Sequence, residues 1–234
     1  MRKVIYFLGI SLFCFHAMAT TDPNIIVPLN FDEHYHIDNK KIENNYLVVV
    51  PEEWKFPSNS NTARAQREKF ELAISLLEQI MNSDKFKQQV LAYKRGDNKR
   101  LYQKNYLWKN SQKKLSNEDV FNTIMRGNEK MRPSTFSEMN INSYVKMCSR
   151  IERRVSKWCK GVVGSTNPNS SKWLKLNWKY YRGFKVHDMV GNIVHEWVHL
   201  LGFLHGTSNI KEEVPYVVGK IAANIAKDLL TSKK

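Results

Sequence analysis

One stretch near the C-terminus constrains this chain more than any other: His195-Glu196-Trp197-Val198-His199-Leu200-Leu201-Gly202-Phe203-Leu204-His205 demands a helix, a stop and a return. Residues four apart project from one helix face, so His195 and His199 offer two imidazole nitrogens to a common point. Glu196 lies about 100° further round. It is poorly placed as a third ligand and well placed to take a proton from a water held there. Gly202 tolerates the left-handed backbone of a helix C-cap, and the turn it permits would carry His205 back over the other two histidines. With His195 at 0° and steps of about 100°, Asp188, Asn192 and His199 fall within roughly 60° of it. Val190, Ile193, Val194, Trp197, Leu200 and Leu201 occupy the other side. The plain alternative is a buried amphipathic helix whose histidines only satisfy core hydrogen bonds. Three histidines, the glutamate and the turn glycine in register favour a metal site.

The other end of the chain bears on where such a site would work. Met1-Arg2-Lys3 precedes a nearly unbroken apolar run from Val4 to Ala17 and a small-x-small Ala17-Met18-Ala19, the pattern of a secretory signal cleaved after Ala19. The run is too short for a transmembrane anchor, which needs about 20 apolar residues. The expected mature chain, residues 20–234, is secreted or periplasmic and long enough for one domain with its own core. It keeps two cysteines, Cys148 and Cys159, and an oxidising compartment favours a disulfide between them over two further metal ligands. The signal holds Arg2 and Lys3 and no acid, so the formal charge of +15 becomes +13. Such a charge suits anionic cell-surface polymers, although the basic residues are spread along the chain as on an ordinary solvated surface.

Residues 20–45 are polar and irregular, a flexible N-terminal segment whose His34 and His36 are read as loop residues outside the site. Tyr46 to Val50 reads as a strand stopped by Pro51. Asn61 or Thr62 can cap a long helix with Phe70, Ile74, Leu77 and Met81 as its stripe, and Ser83 a second one from Asp84 to Tyr93, ending near Gly96. Leu101 to Lys114 mixes aromatic and basic side chains without a nucleic-acid motif, so no specific nucleic-acid partner is expected. Ser116 opens a short helix through Met125 that Gly127 closes. Ile141 to Cys148 and Trp173 to Tyr180 read as strands around a turn-rich loop from Gly161 to Ser171. Pro215 starts a last helix, Tyr216 to Leu230, with Val218, Ile221, Ile225 and Leu229 facing the core.

The extended pattern of His195, Glu196, His199, Gly202 and His205 resembles the zincin metallopeptidases, in particular their metzincin branch. With Val214 to Gly219 included it is also similar to exported bacterial zincin-like proteins. The resemblance covers about a dozen residues, or thirty with that extension. It implies an α+β fold in a single domain: a small twisted mixed sheet with helices, the motif helix on the floor of a cleft, and an edge strand such as Trp173 to Tyr180 along a substrate groove. It implies Zn2+ held by His195, His199 and His205, Glu196 as general base and a polypeptide substrate. Tyr216 is the candidate for a hydrogen bond to the oxyanion. The chain departs from the metzincin pattern in one respect, since no methionine follows His205. Glu212 or Glu213 therefore stays open as an alternative third ligand. Two other functions also stay open: hydrolysis of a different amide such as a peptidoglycan cross-link, and a non-catalytic zinc-stabilised module that binds polyanions.

Overall fold

The structure is a computed structural model, which describes residues 47–49, 61–94, 101–102, 115–127, 129, 138–140, 143–146, 151–169, 174–205 and 213–232. In chain order its elements are β1 (Leu47–Val49), α1 (Asn61–Met81), α2 (Asp84–Leu91), β2 (Leu101–Tyr102), β3 (Leu115–Ser116), α3 (Asn117–Arg126), β4 (Glu138–Asn140) and β5 (Ser143–Lys146). There follow α4 (Glu152–Val155), α5 (Lys157–Gly161), β6 (Gly164–Ser165), β7 (Leu174–Asn177), α6 (Trp178–Tyr181), α7 (Val186–Leu200) and α8 (Val214–Thr231). The class is α+β, with helices dominant and short strands beside them. The expected signal, the flexible segment with His34 and His36, Cys148, most of Leu101 to Lys114 and Glu212 lie outside the described residues.

Helix ends follow local chemistry. Ser83 accepts the backbone N–H of Phe86 at 3.1 Å and starts α2. Ser116 and Asp119 form a reciprocal capping box on α3, and Gly127 closes it in the left-handed region at φ 59°. The second helix stops at Ala92, short of Gly96.

The core is a helix-on-helix assembly. Phe70, Ile74, Leu77 and Met81 of α1 are buried as the periodicity predicts, and Ala73, Leu76 and Ile80 widen the stripe. They pack with the apolar side of α7 and with Val218, Ile221 and Ile225 of α8. Gly191 of α7 and Gly219 of α8 let the two helices approach closely. A Cβ on Gly219 would lie 2.6 Å from the Gly191 carbonyl oxygen, and one on Gly191 would lie 2.9 Å from Ala223 Cβ. This contact draws the first turn of α8 over the motif face of α7.

Among the described residues the strands form three small sheets: β1 with β4 in parallel, β2 with β3 antiparallel, and a mixed sheet in the order β5-β7-β6. In that mixed sheet β5 runs parallel and β6 antiparallel to β7. Two expectations change here. The strand read over Trp173 to Tyr180 is β7 for its first half only, because the Asn177 side chain accepts the Lys179 N–H and caps α6. Flanked on both sides, β7 is also not an edge; the edge strand next to the motif helix is β6, inside what the sequence presents as a loop. Among the described residues no helix is long and apolar enough to cross a membrane.

Candidate metal centre

The motif lies on the last turns of α7. Val190, Ile193, Val194, Trp197, Leu200 and Leu201 are all buried, which fixes the rotation of the helix and turns His195 and His199 the other way. Trp197 is anchored further by donating its indole N–H to the buried Glu129 carboxylate at 2.8 Å. Past Leu200, the Gly202 N–H returns to the His199 carbonyl at 2.9 Å and Gly202 adopts φ 99°. A side chain there would be strained, which accounts for the glycine. Phe203 then plugs into the core at 1% exposure, and the chain brings His205 back to the two helical histidines.

The three rings meet through their Nε2 atoms. His199 Nε2 lies 3.1 Å and His195 Nε2 3.2 Å from His205 Nε2. Two nitrogens each about 2.05 Å from one ion at a tetrahedral angle are about 3.3 Å apart, so the spacing is that of a ligand set. The opposite side of each ring has its own acceptor. His199 Nδ1 faces the Phe203 carbonyl at 2.5 Å, and His205 Nδ1 faces the Glu213 carboxylate at 2.7 Å. His195 hydrogen-bonds the backbone of Pro215, which has a carbonyl and no N–H, so the imidazole is the donor. With acceptors behind their far nitrogens, the three rings turn their Nε2 atoms inward toward one point. Three converging imidazole nitrogens at this spacing could hold a metal ion.

Protonation agrees with this arrangement. Burial, reinforced by the neighbouring His199 and His205, pushes His195 down to about 3, and burial pushes His199 down to about 4. Both rings are therefore neutral near pH 7, the form that binds metal. Burial also pushes Glu196 up to about 8. Its side chain is 4% exposed and lies against β6, where a Cβ on Gly164 would come within 2.7 Å of Glu196 Oε1. A cation at the imidazoles would act against that shift and favour the carboxylate.

Around the histidines is a pocket of about 750 Å³. Glu196 and the three histidines form its floor, β6 one wall, and Tyr216, Gly219 and Lys220 of α8 another. Tyr216 is 39% exposed and packs against two of the ligand candidates, edge-to-face on His195 with ring centres 4.5 Å apart and tilted against His205 at 5.0 Å. Burial raises its phenol, and the charges of Glu196 and Glu213 add to the effect. On α7, Asn192 is held by the Tyr181 hydroxyl, which donates to Asn192 Oδ1 at 2.7 Å and leaves the amide N–H groups to the pocket.

The structure thus brings His195, Glu196, His199, His205 and Tyr216 together around one pocket. Glu213 holds His205 from behind with a fully buried carboxylate, an orienting role that sequence spacing does not distinguish from ligation. The sequence reading misses Gly164 altogether. Its one signal is a glycine beside β-forming residues, where another side chain commonly approaches the backbone closely. Cys159 is buried, and the bond expected between it and Cys148 stays an expectation. A comparison with known proteins finds no matching family model, no matching curated protein and no matching solved structure.

Proposed function

We propose that this protein is a zinc-dependent peptidase of zincin type, exported through the signal at residues 1–19. The observation that carries the reading is the set of three Nε2 atoms of His195, His199 and His205, with Glu196 beside them on the floor of an open pocket. His195, His199 and His205 would hold the ion, and their far nitrogens are already bound to Pro215, Phe203 and Glu213. Zinc bound there would polarise the substrate carbonyl and lower the pKa of the attacking water toward about 7. Glu196 takes the proton of the attacking water and delivers it to the leaving amine. Burial against β6 keeps the Glu196 carboxylate from competing solvent, and a cation at the imidazoles would favour its ionised form, the form that accepts the proton. Tyr216, at the pocket wall, donates a hydrogen bond to the carbonyl oxygen as negative charge develops on it. The edge of β6 offers backbone groups with which an extended substrate can pair.

The test is Glu196→Gln, with zinc content and hydrolysis of quenched peptides measured on one preparation. The amide keeps the shape and loses the base, so one zinc per chain should remain while turnover falls by roughly 10²–10⁴-fold. Undiminished turnover sinks the assignment. Purified cell wall, incubated alongside and read by mass spectrometry, separates peptide hydrolysis from cleavage of a peptidoglycan amide.

A further inference from the structure

We propose that the corner formed by α4 and α5 docks the protein on an anionic lipid surface. Ile151 and Val155 are the most exposed large apolar side chains among the described residues, at 74% and 72%. Scattered exposed hydrophobics are ordinary, but these two are paired by geometry. The Ile151 carbonyl accepts the N–H groups of Arg154 at 2.8 Å and Val155 at 3.2 Å, which closes one helical turn and sets Ile151 and Val155 on one face. Arg153, Arg154, Lys157 and Lys160 are exposed on the same two short helices, against one half-buried acid, Glu152. The next turn holds itself to the body of the protein by Trp158, which donates to Ser165 Oγ at 2.9 Å, and by the buried Cys159. The result is a seated corner that presents two aliphatic side chains on a segment with four exposed cations and one acid.

That chemistry selects among occupants. A second copy of the chain would bring its own four cations against these four, and two side chains are far less than the ~800 Å² per partner that a stable interface needs. Nucleic acid would answer the charge, but aliphatic side chains give bases nothing to stack on. An anionic bilayer satisfies both parts: the cations meet headgroups and the two aliphatic side chains enter the acyl boundary. The corner also leads straight into the candidate pocket, since Gly161 at its end and Val162 through Thr166 after it line the wall. Docking would hold the pocket next to the lipid surface, where segments of membrane-attached proteins are concentrated.

The experiment is sedimentation of the mature chain with vesicles of pure phosphatidylcholine and of phosphatidylcholine with 30% phosphatidylglycerol, at ~0.1 M salt. Binding should require the anionic lipid and weaken as salt rises. Ile151→Ser with Val155→Ser should lower partitioning at least ~10-fold. Arg153→Gln with Arg154→Gln should lower it ~25-fold, at ~5-fold per cation. Ile151→Phe should strengthen it. All three variants change exposed residues and should melt with the wild type. The proposal is overturned if wild type ignores anionic vesicles, if the aliphatic pair can be removed without effect, or if the chain binds a soluble polyanion such as heparin but not vesicles.

Discussion

Gly164 offers a direct way to disturb the proposed base without touching a ligand. A methyl group added there would lie 2.7 Å from Glu196 Oε1 and 3.0 Å from both Cδ and Cγ, whereas ordinary contacts begin near 3.4 Å. Rotation of the carboxylate alone cannot relieve this, because the Cγ contact is as short as the Cδ contact and the side chain is only 4% exposed. Gly164 does not need a left-handed backbone, so Gly164→Ala acts purely through space. Either Glu196 or β6 must shift by several tenths of an ångström, and β6 is held to β7 by pairing of Gly164 with Leu176. Overpacking of this kind costs about 1–3 kcal/mol, equivalent to several degrees in Tm for a chain of this length. A displacement of a catalytic group approaching 1 Å costs on the order of 100-fold in rate. Gly164→Ala should therefore keep one zinc per chain and lower kcat by roughly 10- to 100-fold, measured by peptide hydrolysis beside metal analysis. Wild-type kcat in a folded, zinc-loaded variant would refute the proposed position and role of Glu196.

Further predictions concern the ring behind the ligands and the charge balance of the pocket. Glu213→Gln keeps a hydrogen-bond acceptor for His205 but removes the carboxylate, and zinc affinity measured by competition with a chelator should fall about 10- to 100-fold; unchanged affinity would mean that Glu213 only fills space. In the metal-free protein His195 and His199 have folded values of about 3 and 4, below the usual 6.5, so the stability they contribute is present above that value and lost on acidification. Glu196 has the opposite sign: its folded value of about 8 lies above 4.5, so stability is lost as pH rises through that window. Metal-free wild type should melt highest near pH 6.5 and lose about 1 kcal/mol by pH 8, a loss that Glu196→Gln should abolish. An alkaline limb that persists in the variant would assign it to another group.

What could be read from the sequence is what local chemistry determines. The capping box of Ser116 and the left-handed Gly127 bound α3 with groups three residues apart or fewer, and the apolar side of α7 follows from a period of 3.6 residues. The motif histidines and Gly202 belong to the same kind: helix register and one turn bring His195, His199 and His205 together. Pairings over distance were not legible. The parallel partnership of β1 and β4 joins strands some ninety residues apart, and nothing in Leu47–Val49 names Glu138–Asn140 as its neighbour. Trp173 to Tyr180 looks like one strand because its composition is β-forming throughout, and only the Asn177 side chain turning onto the Lys179 N–H divides it. The role of Glu213 escaped for a similar reason. A carboxylate eight residues past His205 reads as a ligand or as an orienting group until the direction of the ring is known.

The central claim is that His195, His199 and His205 form one metal site. Metal content after exhaustive dialysis, compared between the wild type and separate His195→Ala, His199→Ala and His205→Ala variants, tests it most directly. One zinc per wild-type chain and a large loss in each variant is the predicted result. Wild-type zinc content in the His205→Ala variant, or no bound metal in the wild type, would contradict it.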